Sequence, residues 1–346
     1  MEQAVPEDVL STRPLEPFMI SRIVATGRCV PENLVTNETI ESELGLEQGW
    51  IVERTGVHSR SIASAEQAVS DLAIIAGQSA LQQFEQLDCP RIGTLILATS
   101  TPDYLLPPTA PYIATELGLS GVGAMDLAGA CCGFLYGLQL ADALAKSSGQ
   151  SVMLVAGNIL SRRVQPEDIA TRALFADAAG AVILAPADDS AAGVLGHCTS
   201  SNGQHWKQLL IPDGGSRNPF SESSFDVQSH LMQMNSGNLV FRHAVESMGS
   251  MGNQVLQELG LQISEIDWWV PHQANMRIIE ATRRILKMDR DKTIVTADCF
   301  GNSSAASIPV TLDWAIKDQN QIKPGQTVLF TAAGAGMTSA ASVVTI

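Results

Sequence analysis

The stretch Asp126–Ala141, "DLAGACCGFLYGLQLA", sets two adjacent cysteines among glycines and alanines and then runs on as an apolar helix. Free cysteine is commonly a compact buried hydrophobe, which would account for both thiols. A thiol at a helix N-terminus has a second possibility, because the helix dipole and the unpaired first amides favour a thiolate. The choice depends on what the rest of the chain brings to this point.

Outward from this stretch the chain repeats itself. The apolar run "TLILATS" (94–100) precedes the small-residue helix start at 129–133, and "SVMLVAG" (151–157) and "GAVILAP" (180–186) follow it. In the second half "IDWWVPH" (266–272) precedes "FGNSSAAS" (300–307), and "TVLFTAAG" (327–334) and "ASVVTI" (341–346) follow. Helical periodicity lies between the runs, over 71–87 and 244–259. Continuous apolar strands alternating with helices predict an α/β protein with sheets covered on both faces. The matching order predicts a duplicated unit of about 170 residues. The expected division is a flexible extension over 1–18, a first half over 19–185 and a second over 186–346. Packed face to face, two such halves bring their small-residue helix starts together, and a site can form between them.

Composition narrows the function. A chain of 346 residues with 45% hydrophobic residues supports a full core. Its six cysteines form no CxxC pair, which argues against a zinc ribbon or a secreted disulfide scaffold and fits a reducing cytoplasm. The first residues lack the basic region and apolar core of a signal peptide, and no apolar run reaches the roughly 18 to 20 residues of a membrane span. A net charge of −15 disfavours nucleic acid. One local exception, "NMRIIEATRRILKMDRDK" (275–292), holds six of the 21 basic residues, with Arg277 and Arg284 two turns apart on one helix face and Arg283 beside them. By itself such a run is an ordinary solvated face.

The centre between the halves would hold Cys131 or Cys132 from the first, with His272 and Asn302 from the second. Each has a plain alternative, since His272 ends a strand and Asn302 stands where a helix cap would. Together with the glycine loop "AAGAGMTSA" (332–340) they supply a nucleophile, two neutral donors and open backbone amides for an oxyanion. A metal held by Cys131, Cys132 and His272 fits poorly, because adjacent cysteines give bad tetrahedral geometry.

The blocks "RTGVHSR" (54–60), "DLAGACCGF" (126–134), "LFADAAGA" (174–181), "VPHQANMRII" (270–279) and "FGNSSAASIP" (300–309) resemble, in order, those of the β-ketoacyl-acyl carrier protein synthase III family, condensing enzymes of the thiolase fold. The resemblance implies a five-layered αβαβα arrangement and no permanently bound cofactor. It makes Cys131 the nucleophile and Cys132 a packing residue. An acyl-coenzyme A would acylate Cys131, malonyl-acyl carrier protein would lose carbon dioxide, and the resulting enolate would attack the acyl-enzyme. His272 and Asn302 would stabilise the enolate, and the Cys131 and Gly336 amides would form the oxyanion hole. By the same resemblance Trp50 stacks on the coenzyme A adenine, with Arg54 and Arg162 as phosphate and base partners, and Asn275 touches the pantetheine arm. Arg277, Arg283 and Arg284 become a dock for the acidic carrier protein, and Leu106 an acyl gate reaching across a homodimer. A catalytically silent subunit of a larger synthase is disfavoured because Cys131, His272 and Asn302 are all kept. A tailoring acyltransferase without decarboxylation has less need of Asn302.

Three departures bear on the primer. "FADAAGA" (175–181) replaces the family's "FGDGAGA", which predicts a stiffer loop near Asp177. Leu106 stands where Phe is common. Arg163 follows Arg162, while an arginine common a few residues later is Ile169. A buried guanidinium wants a carboxylate or a phosphate. Arg163 therefore either relocates a coenzyme A phosphate contact or, with Ser100 and Ser304, binds the far carboxylate of a primer. The second reading resembles the branch that joins glutaryl-coenzyme A to malonyl-carrier protein, giving 3-oxopimeloyl-carrier protein for biotin. Acetyl-coenzyme A priming of fatty-acid synthesis is the alternative.

Overall fold

A computed structural model describes residues 20–187, 192–220 and 226–346, and the extension expected over 1–18 lies outside them. The first half runs β1 (Ile20–Cys29), β2 (Leu34–Thr36), α1 (Asn37–Glu43), α2 (Trp50–Thr55), β3 (Ser59–Ser61), α3 (Val69–Phe84), β4 (Ile92–Ala98), α4 (Ala110–Glu116), β5 (Gly123–Leu127), α5 (Gly133–Ser148), β6 (Ser151–Ile159), α6 (Ile169–Arg172) and β7 (Asp177–Ala187). The second runs β8 (Gly193–Ser201), β9 (Leu209–Leu210), β10 (Gln233–Met234), α7 (Gly237–Leu259), β11 (Trp268–Pro271), α8 (Met276–Leu286), α9 (Ala297–Phe300), α10 (Ser307–Lys317), β12 (Thr327–Gly334) and β13 (Thr338–Thr345).

The two main sheets share one strand order. The first is β1-β7-β6-β4-β5 and the second β8-β13-β12-β11, with β1 matching β8, β7 matching β13, β6 matching β12 and β4 matching β11. The fifth position is only a parallel bridge, Trp269 to Thr293, where β5 stands in the first sheet. Three apolar clusters then define five layers. Helices α3 and α4 cover the outer face of the first sheet. Helices α5 and α10 fill the space between the sheets, and α7 and α8 cover the outer face of the second. This is the αβαβα arrangement expected from the resemblance.

Local chemistry sets the helix limits. Helix α3 begins two residues before the expected 71, because the Asp71 carboxylate accepts the Ala68 amide at 2.7 Å and closes the first turn. Helix α7 begins seven residues before the expected 244, because the Ser236 hydroxyl accepts the Leu239 amide at 3.3 Å. Strands β1 and β8 are sheet edges or neighbours whose polar residues, such as Ser21, Arg22 and Thr26 in β1, hide the apolar signal. "FADAAGA" is a strand rather than a loop: β7 starts at Asp177, whose buried carboxylate accepts from the Ala63 amide (2.8 Å) and the Ser161 amide (2.9 Å). Of the two missing glycines, the one replaced by Ala178 lies within this strand, where a side chain favours β structure, and the one replaced by Ala176 just precedes it. Among the described residues, no helix is long and apolar enough to cross a membrane.

The halves meet where small residues allow it. A Cβ on Gly133 would lie 3.3 Å from that of Ala305, and one on Gly180 would lie 2.8 Å from both the Pro309 Cβ and the Val310 nitrogen. Gly180 therefore lets α10 pack directly on β7, against atoms that cannot turn aside. Replacement Gly180→Ala is expected to lower stability in urea unfolding by about 1 to 3 kcal/mol through overpacking. An unchanged midpoint would show that this contact carries no tension.

Candidate active site

Cys131 occupies a single 3₁₀ turn, residues 130–132, that leads straight into α5. The preceding Ala130 has φ 46°, a left-handed conformation uncommon for a residue with a side chain. The turn aims Cys131 toward the second half, while Cys132 points into the core between the sheets. A side chain on Gly334 would lie 2.8 Å from the Cys131 nitrogen, so the end of β12 must be bare for the turn to seat. The expectation of a low-pKa thiol is not met at rest. Burial raises the Cys131 thiol, partly offset by the Ser304 hydroxyl and the Cys131 amide. Burial raises Cys132 as well.

His272 follows β11 and is fully buried, which lowers it to about 4. It is therefore neutral at physiological pH. The Gln273 amide donates to Ser307 Oγ at 3.3 Å, and Ser307 Oγ lies 2.7 Å from His272 Nδ1. Ser307 thus holds the ring through Nδ1 and leaves Nε2 for the channel that His272 lines. Ser307 stands in the quoted block "FGNSSAASIP", and only its spacing from His272 in space reveals this role. Asn302 is pinned through its backbone: its amide donates to the Leu174 carbonyl and its carbonyl accepts from the Ala176 amide, both at 2.9 Å. Its Oδ1 accepts from the Ser304 amide at 2.9 Å. That leaves its Nδ2 as the available donor.

Cys131, His272 and Asn302 line one channel of about 280 Å³, with Asn275 and Arg277 toward its outer part. A second, mainly apolar cavity of about 180 Å³ opens from the same thiol and holds Ser100, Ser304, Leu160 and Met232. Ala335 borders both cavities, whereas Gly336, the expected oxyanion donor, borders neither. Gly336 is in the turn beyond, where Asn202 and Met337 exchange backbone hydrogen bonds of 2.8 and 3.2 Å. The amides of Cys131 and Ala335 donate no backbone hydrogen bond elsewhere among the described residues.

The other expected contacts divide. Trp50 and Arg54 share α2, with the guanidinium 4.3 Å above the indole centroid, a stack that presents a ready platform. Asn275 caps α8 by accepting the Ile278 amide at 2.9 Å. Arg162 fastens a loop: its Nη2 lies 2.6 to 3.0 Å from the carbonyls of Ser64, Ala65 and Gln67 and donates to them. Arg163 lines neither cavity; its guanidinium reaches the His230 carbonyl at 3.4 Å, although its own carbonyl accepts from Met232 on the cavity wall. Arg283 is also spent, on Glu280 at 2.8 and 2.9 Å and on the Met288 carbonyl at 2.6 Å. Arg284 also meets Glu280, Nε to Oε1 at 3.0 Å, but is 73% exposed, and Arg277 lies 5.6 Å over the Phe241 ring. These two border a groove with Arg283 and with Arg290, a residue the helix-face reading passed over. Leu106 is 84% exposed and lines neither cavity of its own chain.

Comparison with known proteins places this geometry. Residues 125–203 match the family described as 3-oxoacyl-[acyl-carrier-protein] synthase III, and residues 256–346 match its C-terminal part. The chain is 44% identical over 343 residues to a 3-oxopimeloyl-[acyl-carrier-protein] synthase of Rhodothermus marinus, covering 99% of this chain and 98% of that one. It is 40% identical to a beta-ketoacyl-[acyl-carrier-protein] synthase III of Erythrobacter litoralis, covering 93% and 98%. The crystal structure of 3-oxoacyl-(acyl carrier protein) synthase III from Pseudomonas aeruginosa superposes with a TM-score of 0.86 at 34% identity, covering 94% of this chain and 98% of that one. A likeness of this extent, with a cysteine, a histidine and an asparagine meeting at one channel, settles the affiliation: the chain belongs to the 3-oxoacyl-[acyl-carrier-protein] synthase III family of condensing acyltransferases.

Proposed function

We propose that this enzyme moves an acyl group from coenzyme A to Cys131 and extends it by two carbons from malonyl-carrier protein, and that its primer is glutaryl-coenzyme A. The observation that carries the chemistry is the convergence of Cys131, His272 and Asn302 on one channel. In the first step the Cys131 sulfur bonds the acyl carbon and coenzyme A leaves with the thiol proton. The Cys131 and Ala335 amides hold the tetrahedral oxyanion. In the second step the malonyl carboxylate leaves as carbon dioxide and its bonding electrons form an enolate. A neutral His272 Nε2–H and the Asn302 amide donate to the enolate oxygen, and desolvation strengthens both bonds. The enolate carbon attacks the acyl-enzyme, and the Cys131 sulfur departs.

The primer reading rests on the second cavity. Ser100 and Ser304 put two hydroxyls on an otherwise apolar wall, and Arg163, exposed and outside that lining, is tied to it through its backbone carbonyl, which accepts from the Met232 amide. Its bond to the His230 carbonyl is at the long limit, so a carboxylate would draw the guanidinium inward at small cost. An acetyl primer leaves these groups unused. Relatives named as 3-oxopimeloyl synthases, in Rhodothermus marinus and Brucella abortus, share 44% and 42% identity with the chain. Such a product carries a distal carboxylate and is consistent with a five-carbon diacid extended by two carbons.

The coenzyme A adenine would displace Arg54 from the Trp50 face, with Asn275 along the pantetheine arm. The acidic carrier protein would dock on Arg277, Arg284 and Arg290, which Arg283 helps to hold in place. Leu106, with the exposed Tyr104 and Leu105, would close the acyl cavity of a second copy, making the working unit a cytoplasmic homodimer. No resident cofactor enters this scheme.

Intact-mass spectrometry after mixing with glutaryl-coenzyme A is expected to show a glutaryl adduct that Cys131→Ser abolishes. In Arg163→Ala the ratio of glutaryl to acetyl transfer should fall about tenfold, the loss of one charge-assisted hydrogen bond. An unchanged ratio would exclude Arg163 from primer recognition. Because burial holds His272 neutral well below its usual value, carbon dioxide release by the acylated enzyme should stay level from about pH 5 to about pH 8. A step near the ordinary histidine value would mean that His272 titrates and takes part as a cation or a base.

A further inference from the structure

We propose that Ser304 is a catalytic residue of acyl transfer: its hydroxyl donates a hydrogen bond to the Cys131 sulfur and holds the thiolate during attack on the thioester. This rests on Cys131 being the nucleophile and is independent of which primer is used. Ser304 Oγ lies 3.3 Å from Cys131 Sγ, and the residue is only 4% exposed, so little water competes for the bond. Its position is over-determined. The Ser304 amide donates to Asn302 Oδ1 at 2.9 Å, and its φ is 56°, a left-handed conformation that a residue with a Cβ adopts only under constraint.

The duplicated fold supplies an internal control. Ala130 opens the equivalent 3₁₀ turn of the first half with φ 46°, and Ser304 opens that of the second. The backbone turn therefore forms with no side-chain oxygen. The hydroxyl is an addition at the one of the two positions that faces the thiol. It is also needed there, since burial disfavours the thiolate and the Ser304 hydroxyl works against that effect. The titratable groups nearby do not replace it. His272 is held neutral, Cys132 is itself raised by burial, and Arg277 lies along the channel lining.

During acylation the bond from Sγ to the acyl carbon forms and the bond from that carbon to the coenzyme A sulfur breaks. The Cys131 proton ends on coenzyme A, and Ser304 keeps its own. A thioester sulfur accepts hydrogen bonds weakly, so acylation releases the hydroxyl to the cavity that it lines. One proton cannot serve the thiolate and a primer carboxylate at once, so Ser304 meets the carboxylate only in the acyl-enzyme, and primer choice during transfer falls to the other groups of the primer reading.

The test is the rate of Cys131 alkylation by iodoacetamide against pH, read by intact and peptide mass, in the parent enzyme, Ser304→Ala and Ser304→Gly. The probe carries no carboxylate and the free enzyme no primer, so the result does not depend on the substrate reading. Both variants are expected to move the midpoint up by about one pH unit and to slow alkylation near neutrality about tenfold. Glycine removes the hydroxyl and the strain together, whereas alanine removes only the hydroxyl. Profiles that superpose on the parent would overturn the proposal, as would a shift in the alanine variant alone, which would trace to strain. Alkylation at another cysteine would instead overturn the choice of nucleophile.

Discussion

The close approach of the two helix starts, Gly133 against Ala305, is the contact on which the rest of the molecule depends. Two half-domains of the same strand order can share a core only if their inner helices begin at nearly the same point. That point has no room for side chains larger than a methyl group, and the glycines and alanines of both blocks meet the requirement. The 3₁₀ turns ahead of α5 and α10 then converge, one carrying Cys131 and the other Ser304. Catalytic geometry is thus set by packing across the duplication, with the chemical groups placed on rigid elements.

Burial does the electrostatic work. The histidine is neutral because it is desolvated, and the thiol is protonated at rest for the same reason. A dry, neutral site suits a reaction whose charge appears only transiently, on a thioester oxygen, because fixed hydrogen-bond donors there need no reorganisation. Charge stays outside. The cations that border the groove near Arg284 face solvent, where an acidic partner can be steered by its field.

Much of this was legible in the sequence. The repeat of strand, small-residue turn and two strands gave the duplication, and Cys131, His272 and Asn302 stood at matching strand ends and helix starts. What stayed hidden has physical reasons. Strands β1 and β8 carry polar residues that break the apolar run. Arg162 and Arg283 have the composition of ligand-binding residues, but a sequence does not show that backbone carbonyls or Glu280 already bond their guanidinium groups. That Ala335 rather than Gly336 borders the cavity is invisible for a similar reason, since every residue of that loop offers an amide and only the path of the turn decides which one faces inward. The hydrogen bond by which Ser307 positions His272 depends on a contact across 35 residues.

The central claim is that the second half supplies neutral donors for decarboxylation while acyl transfer belongs to Cys131. The most direct test is to measure the two partial reactions separately in His272→Ala: acylation of Cys131 by an acyl-coenzyme A, and carbon dioxide release from malonyl-carrier protein. Carbon dioxide release should fall by about a hundredfold or more, the usual loss for one such donor, while acylation changes only a few-fold. An equal loss in both steps, or a loss confined to acylation, would contradict this division and make His272 the base that activates the thiol.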